Sequence, residues 1–299
     1  MAAESIPESM YMLNSGSSQV EHDRLNVQHH LFNDIMQGHL LPPHIISALD
    51  AQPTPPKILE MATGSAIWLT EVAKTLPAEA ELVGLDYDTS RFPPPSSLPP
   101  NIKLGKGDMY EPFSSDLLGN FDVVHVRMIL FGVKEGRGPE VARNLLTLLK
   151  PGGYLVWVET GPVLLHGLVT TIEPPSLAWF KFQQASWRFA KKVGSDLNLP
   201  NATLSYIKEV GCIECDDKAY PGSAVLYTDK GKDWIAQTNS NFTAFFEPTL
   251  RGIVSLGGVE GLTTDADVDE VIALADQEFG NRKIHYMLLR AWGKKPATS

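Results

Sequence analysis

Short apolar runs alternate with helix-like segments between residues 57 and 160. The runs KILEM, ELVGLDYD, IKLGKGDMY, FDVVHVRMIL and GGYLVWVET predict five strands, and IWLTEVAKTL and PEVARNLLTLL predict helices between them. Strands that alternate with helices at this spacing pair in parallel through right-handed crossovers. Apolar strands such as DVVHV and YLVWV also fit a sheet that is covered on both faces. The alternation therefore predicts an α/β fold with a doubly wound, Rossmann-like sheet.

The N-terminal residues precede this repeat and are expected to cover it. Residues 1–19 are polar, Ser-rich and without periodicity, so we interpret them as an arm. From Glu21 to Gln37 apolar side chains recur at helical spacing with charged side chains between them, which predicts an amphipathic helix. We therefore expect residues 1–50 to form an arm and a helical cap, and residues 51–299 to form the main domain.

The chain after the fifth predicted strand loses the strand-helix rhythm. Pro174–Val193 is rich in aromatic residues and helical in its pattern, so we expect a helical insertion at about residues 165–200 on the substrate side. Helices are also predicted at Lys232–Leu256 and Asp265–Phe279. Two strands, CIECDDKAYP and KIHYMLLRAWGKK, bring the predicted sheet to seven strands and would close its edge as a hairpin.

Composition and charge argue against several classes of function. The formal net charge is −10 and the pI about 5.3, whereas binding to nucleic acid requires clustered Lys and Arg. No apolar run reaches about 18 residues and no basic, apolar leader begins the chain, so we expect a cytoplasmic protein that binds no membrane. Cys212 and Cys215 lack a second pair of ligands, so we expect structural thiols and no metal. A small molecule is the expected partner.

Small and acidic residues stand where the predicted strands end. The first strand-to-helix turn carries Gly64 between two alanines, and only small residues let a backbone approach a ligand closely. About 20 residues further on, Asp86 ends the second strand, as a carboxylate that accepts from ribose hydroxyls would. Asp108 and Met109 end the third strand, where they could bind an adenine ring. Ligands bind at this edge of open α/β sheets, so the pattern predicts a nucleotide-type site.

Together EMATGSAIW, GLDYD, KGDM, FDVVHVR and LKPGGYLVWVE resemble class I S-adenosylmethionine-dependent methyltransferases. With the upstream segment DRLNVQHHLF they resemble the small-molecule methyltransferases of fungal secondary metabolism, which include the thiol methyltransferase of gliotoxin-producing fungi. The resemblance implies S-adenosyl-L-methionine as cofactor, and it implies that the following residues bind it: Tyr11, Glu60, Ala62, Gly64, Ala66, Trp68, Asp86, Tyr87, Asp108, Met109 and Arg127. Ala66 replaces the usual glycine and adds one methyl group beside the cofactor path.

Three residues are candidates for catalysis, and each also has a simpler interpretation. His29 on the predicted cap helix and His166 after the fifth strand could take a proton from the acceptor atom, but surface histidines are common. Arg127 lies near the end of the fourth strand and could reach the methionine end of the cofactor. His125 is expected to be a packed core residue, and Glu159 could orient Arg127.

The predicted function is methyl transfer from S-adenosyl-L-methionine to oxygen, nitrogen or sulfur of a small fungal secondary metabolite. The aromatic insertion suits an apolar or aromatic substrate, and a homodimer is expected by analogy. One alternative is a cyclase, pericyclase or isomerase of the same fold that binds the cofactor without transferring its methyl group. A second alternative is a non-catalytic regulator of secondary metabolism.

Overall fold

The computed structural model describes residues 18–160, 176–226, 228–279 and 287–297. The strands within these ranges are β1 (Lys57–Met61), β2 (Glu81–Asp86), β3 (Ile102–Lys106), β4 (Phe121–Arg127), β5 (Leu149–Thr160), β6 (Ile213–Pro221) and β7 (Met287–Lys294). The α-helices are α1 (Ser18–Ile35), α2 (Pro43–Asp50), α3 (Ile67–Ala73), α4 (Gly138–Leu148), α5 (Leu177–Lys192), α6 (Leu199–Glu209), α7 (Ser223–Leu226), α8 (Gly231–Ser255) and α9 (Asp265–Phe279).

The strands form one seven-stranded sheet in the order β3-β2-β1-β4-β5-β7-β6. Strands β1 to β5 pair in parallel, and β7 runs antiparallel to both β5 and β6. The predicted doubly wound α/β fold is therefore confirmed. The order reverses between β1 and β4, which is where such sheets open a crevice for a ligand. The predicted edge pair of β6 and β7 is also present, although α7, α8 and α9 lie between them in the chain.

Side chains of the central strands alternate between two apolar layers, as the pleat requires. On β5, Leu155 and Trp157 pack with residues of α4 and α6. Val156 and Val158 point to the opposite face, where Val156 packs against α2 and α3 and Val158 packs under α1. Because both faces are covered, the near-continuous apolar sequence of this strand has a direct explanation.

A helical layer made of α1, α5, α8 and α9 lies over the carboxyl end of β5 and the adjacent amino end of β7. Its interior is aromatic: the ring centroids of Phe182 and Phe246 are 3.9 Å apart, and Trp179 stacks on Phe182 at 5.7 Å. The predicted insertion is present as α5, and its first predicted residues lie outside the described ranges. The layer recruits helices from three separate parts of the sequence. None of the described helices combines the length and apolar character needed to cross a membrane.

The two cysteines are free thiols at the start of the edge strand β6: Cys212 directly precedes the strand and Cys215 lies within it. Cys212 is buried against the layer of α4 and α6, and Cys215 is half-buried. Burial raises the pKa of the Cys212 thiol to about 12, so it stays protonated at neutral pH and is a poor nucleophile.

Candidate cofactor site

The turn between β1 and α3 has an unusual backbone. Ala62, Gly64 and Ala66 all adopt left-handed conformations, with φ of 57°, 56° and 57°. This conformation is natural for glycine but costs an alanine about 1–2 kcal/mol. The sequence singled out Ala66 as the departure from glycine, and the structure adds Ala62. The turn holds this shape through backbone hydrogen bonds, including one from the Thr63 N–H to the Leu85 carbonyl at 3.1 Å.

Asp86, the last residue of β2, is tied to this turn. Its Oδ2 accepts a hydrogen bond from the Gly64 N–H at 2.8 Å, and its Oδ1 accepts from the Asp88 N–H at 3.0 Å. Asp86 is nearly buried, and that burial raises the pKa of its carboxyl above the usual value. Each carboxylate oxygen keeps capacity for a further donor, as a ribose diol would require. The neighbouring Tyr87 is exposed, and the Lys106 Nζ lies 5.3 Å from its ring centroid.

Asp108 and Met109 follow β3 at the same edge of the sheet, and both are half-buried. The Asp108 Oδ1 accepts from the Tyr110 N–H at 2.9 Å. The Met109 carbonyl accepts from the Asn144 side-chain amide at 3.1 Å, which anchors this turn to α4. These contacts fix the turn in place. The carboxylate of Asp108 and the thioether of Met109 follow β3, which lies two strands away from β1 and the turn at Gly64.

Glu60 lies in β1 directly below the turn and is completely buried. The Thr63 hydroxyl donates to its Oε2 at 2.7 Å, and the Arg127 Nε lies 3.4 Å from its Oε1. Burial raises the pKa of Glu60 to about 7, although Arg127 and the Thr63 hydroxyl act in the opposite direction. This geometry suits a carboxylate that holds the turn and Arg127 in place from beneath. Direct contact of Glu60 with a cofactor stays a prediction.

Arg127 connects β4 to the cap helix. Its Nη1 lies 3.0 Å from the Nδ1 of His29 on α1. Arginine always donates, so the His29 Nδ1 must accept and its Nε2 must carry the ring proton. Burial, followed by the charge of Arg127, lowers the pKa of His29 to about 2. In this arrangement His29 is a neutral hydrogen-bond donor, which argues against the hypothesis that it takes a proton from the substrate.

Helix α1 also contacts the cofactor turn itself. The Ser65 hydroxyl donates to the Asn26 Oδ1 at 2.8 Å, and Leu25 lies 3.3 Å from where a β-carbon on Gly64 would be. The cap expected from the amphipathic pattern thus lies on the turn. Asn26 was not a sequence candidate, because a single polar residue on an amphipathic helix carries no signal of its own. Ser65 belongs to the turn motif EMATGSAIW but was not singled out as a site residue.

Trp68 and His125 lie in the core beneath the site. Their rings stack with centroids 3.7 Å apart and an interplanar angle of 6°, and both residues are about 1% exposed. Burial lowers the pKa of His125 well below its usual value, so the ring is neutral. His125 is therefore a packed core residue, as predicted. For Trp68 the structure provides a packing role, and contact with a cofactor stays a prediction.

Glu159, near the end of β5, supports the segment that follows β4. Its Oε1 accepts from the Ile129 N–H at 2.9 Å and from the Trp157 Nε1–H at 3.1 Å. Between β4 and this anchor, Met128 has a left-handed φ of 57°. Burial raises the pKa of Glu159 to about 7. The sequence suggested that Glu159 orients Arg127, whereas these contacts fix the backbone just beyond it.

Two candidates, Tyr11 and His166, lie outside the described residues. Within the described ranges, no group of three or more His, Cys, Asp and Glu residues could hold a metal ion. The other candidates of the sheet edge lie at or next to the carboxyl ends of β1, β2, β3 and β4: Glu60, Ala62, Gly64, Ala66, Asp86, Tyr87, Asp108, Met109 and Arg127. Trp68 lies in α3 in the core beneath them, and His29 contacts Arg127 from α1.

Comparisons with known proteins identify the family. The family described as a methyltransferase domain matches residues 27–188, more than half of the chain. The chain is 40% identical to N-methyltransferase tcpN of Claviceps purpurea (strain 20.1), over 48% of this chain and 50% of tcpN. It is 33% identical to N-methyltransferase sirN of Leptosphaeria maculans, over 98% of this chain and 97% of sirN.

Among solved structures, the chain is similar to Haemonchus contortus phosphoethanolamine N-methyltransferase 2 in complex with S-adenosyl-L-methionine. The TM-score is 0.47 at 14% identity, over 85% of this chain and 51% of that chain. For tcpN and several other relatives, the match spans only about half the length of the curated protein. The family resemblance expected from the sequence is confirmed. The chain belongs to the methyltransferase domain family, whose cofactor is S-adenosyl-L-methionine.

Proposed function

We propose that this protein transfers the methyl group of S-adenosyl-L-methionine to a nitrogen atom of a small molecule. The observation that carries the proposal is the carboxylate of Asp86 bonded to the left-handed turn at Gly64, which presents an acid and a close backbone at one point of the sheet. The choice of nitrogen is supported by tcpN and sirN, which are both named N-methyltransferases.

The residues at this edge of the sheet fit the cofactor by chemistry. Asp86 would hold the ribose hydroxyls, Asp108 would accept from the adenine amino group, and Met109 would pack on the ring. Arg127 would bind the methionine carboxylate, because a guanidinium matches a carboxylate in charge and shape. The turn of Ala62, Gly64 and Ala66 would let the backbone approach closely. When bound, the cofactor supplies an electrophilic methyl group on a sulfonium.

The protein's contribution to the reaction is mainly alignment. Methyl transfer is an in-line displacement, so holding the acceptor and the methyl group in line supplies most of the rate. Glu60 fixes the orientation of Arg127 from below and His29 fixes it from above. The aromatic interior of the helical layer supports an apolar or aromatic substrate.

We also propose that two copies associate through α1. Val20 is 60% exposed and Val27 is 38% exposed, and they lie seven residues apart on one face of that helix. Sedimentation of the wild type and of a Val20→Glu, Val27→Glu double variant tests this. A dimer that becomes monomeric in the variant is expected, and a wild type that sediments as a monomer refutes it.

The proposed function is tested by metabolite analysis. In the organism that carries the gene, we would compare a deletion strain complemented with wild type or with Asp86→Asn, which keeps the shape of the side chain but removes its charge. An accumulating intermediate one methylene lighter than the lost product, restored only by wild type, is expected. An isomeric pair of compounds would instead favour the cyclase or isomerase alternative, and broad loss of unrelated metabolites would favour the regulator.

A further inference from the structure

Helices α1 and α8 form an antiparallel pair above the end of β4. At one end the Lys230 Nζ contacts the Asp34 Oδ1 at 2.6 Å, and at the other the Arg24 guanidinium lies 5.5 Å from the Phe245 ring centroid. Interpolation along the two helices between these contacts puts Thr238 of α8 at about the level of His29 of α1. We call this part of the helix pair, defined by His29, Trp234 and Thr238, the α1–α8 seam.

Three polar atoms at the seam are buried without a hydrogen-bond partner among the residues that the structure describes. They are the His29 Nε2, the Trp234 Nε1 and the Thr238 Oγ1, on residues that are 2%, 2% and 0% exposed. An unpaired buried donor is costly, and folded proteins contain few of them. His29 links the seam to Arg127 at the cofactor site, so these unpaired groups are candidates for contact with a ligand.

A second threonine on the same helix shows that burial alone does not create this situation. Thr249 is also completely buried, but its hydroxyl donates to the Phe245 carbonyl one turn earlier at 2.7 Å. A buried threonine of α8 can therefore satisfy itself within the helix. Thr238 does not do so, and its hydroxyl is left available at the level of His29.

The chemistry of the three atoms defines what they can bind. An indole N–H only donates, and the His29 Nε2 donates because Arg127 occupies the other ring nitrogen. The hydroxyl of Thr238 can donate as well. The matching group on a ligand is therefore an oxygen that accepts, such as a carbonyl oxygen. The positive charge of Arg127, 3.0 Å from the His29 ring, disfavours an ammonium group at the same place.

We infer that the α1–α8 seam is the acceptor subsite, where Trp234 and Thr238, together with His29, donate hydrogen bonds to a carbonyl-type oxygen of a neutral, largely apolar substrate. This inference rests on the proposed function, because it takes the bound molecule to be the acceptor of the methyl group. A site built from buried donors rejects a substrate that lacks the oxygen, because the donors would then remain unpaired. Trp234 and Thr238 are thus specificity-determining residues.

The test compares Thr238→Val with Thr249→Val, two isosteric changes on one helix. The probe is the metabolite that accumulates in the deletion strain, and its binding to each purified variant is measured by calorimetry. Thr238→Val should bind it at least about tenfold more weakly. Its midpoint of chemical unfolding should be unchanged or higher, since no hydrogen bond is lost. Thr249→Val should bind normally and unfold at lower denaturant. Trp234→Phe removes a different donor, the indole N–H, and should also weaken binding of the metabolite.

Equal affinity of the two threonine variants for the metabolite, or no binding by wild type, would overturn the inference, since the Thr238 hydroxyl would then serve the fold or a buried water. The proposed function fails in a different way. If wild type binds the metabolite in a Thr238-dependent manner but does not methylate it in the presence of S-adenosyl-L-methionine, the subsite stands and methyl transfer is refuted.

Discussion

Replacing Ala62 by glycine should stabilise this protein, although the same change destabilises most proteins. The reason is the left-handed backbone of Ala62, with a φ of 57°. Relief of that conformation should return about 1–2 kcal/mol. Two losses oppose this gain in the free energy of unfolding. The larger unfolded-state entropy of glycine costs about 0.4–1 kcal/mol, and the lost burial of a half-exposed methyl group costs about 0.4 kcal/mol. The expected net gain is about 0.5 kcal/mol.

Two further variants make the argument quantitative. Ala48 lies inside α2 with similar exposure but a helical backbone, so Ala48→Gly should cost about 1 kcal/mol. Ala66 has the same left-handed φ as Ala62 but is completely buried. Its methyl group contributes about 0.8 kcal/mol of burial, so Ala66→Gly should be close to neutral. The predicted order of stability is Ala62→Gly, then Ala66→Gly, then Ala48→Gly.

The assay is urea unfolding of the purified proteins, followed by circular dichroism and fluorescence to check that both probes report one transition. Ala62→Gly and Ala48→Gly should differ by about 1.5 kcal/mol in the free energy of unfolding. Equal destabilisation by both variants would refute the reasoning, because it would mean that Ala62 stores no backbone strain.

Other perturbations have equally direct readouts. Asp86→Ala should weaken binding of S-adenosyl-L-methionine by about 1.5–3 kcal/mol, and unchanged affinity by calorimetry would contradict the placement of the cofactor. The raised pKa of Glu159, about 7 against an ordinary 4.5, contributes stability that is complete below the ordinary value and lost as pH rises through 7. The free energy of unfolding of Glu159→Gln should therefore depend less on pH between about pH 5 and pH 8, by on the order of 3 kcal/mol relative to wild type. Glu60 contributes to the remaining dependence in the same direction, and the buried neutral His29 and His125 contribute in the opposite direction. A pH dependence identical to that of wild type would contradict the role of Glu159. Gly84→Ala should lower stability by about 1–3 kcal/mol, because its β-carbon would lie 2.6 Å from a side chain of β3. Gly105→Ala, where the nearest atom would be 3.4 Å away, is its control, and similar losses in both would refute the steric argument.

The fold and the cofactor edge of the sheet could be predicted because they depend on local patterns. Alternating strands and helices define the sheet, and strand ends bring Asp86 and Asp108 to one edge whatever the loops do. The left-handed φ of Ala62 could not be predicted, since alanine has no preference for that conformation. The roles of Thr238 and Glu159 were also hidden, because each depends on which helix or loop packs above it.

Helix α1 touches both halves of the site, and this has a thermodynamic consequence. Through Asn26 it contacts the cofactor turn, through His29 it contacts Arg127, and along its other side it packs on α8. A ligand that shifts the equilibrium position of α1 from either half changes the free energy of binding in the other half. Linkage makes this coupling reciprocal, so we expect the acceptor to change the affinity for S-adenosyl-L-methionine by the same factor by which S-adenosyl-L-methionine changes the affinity for the acceptor.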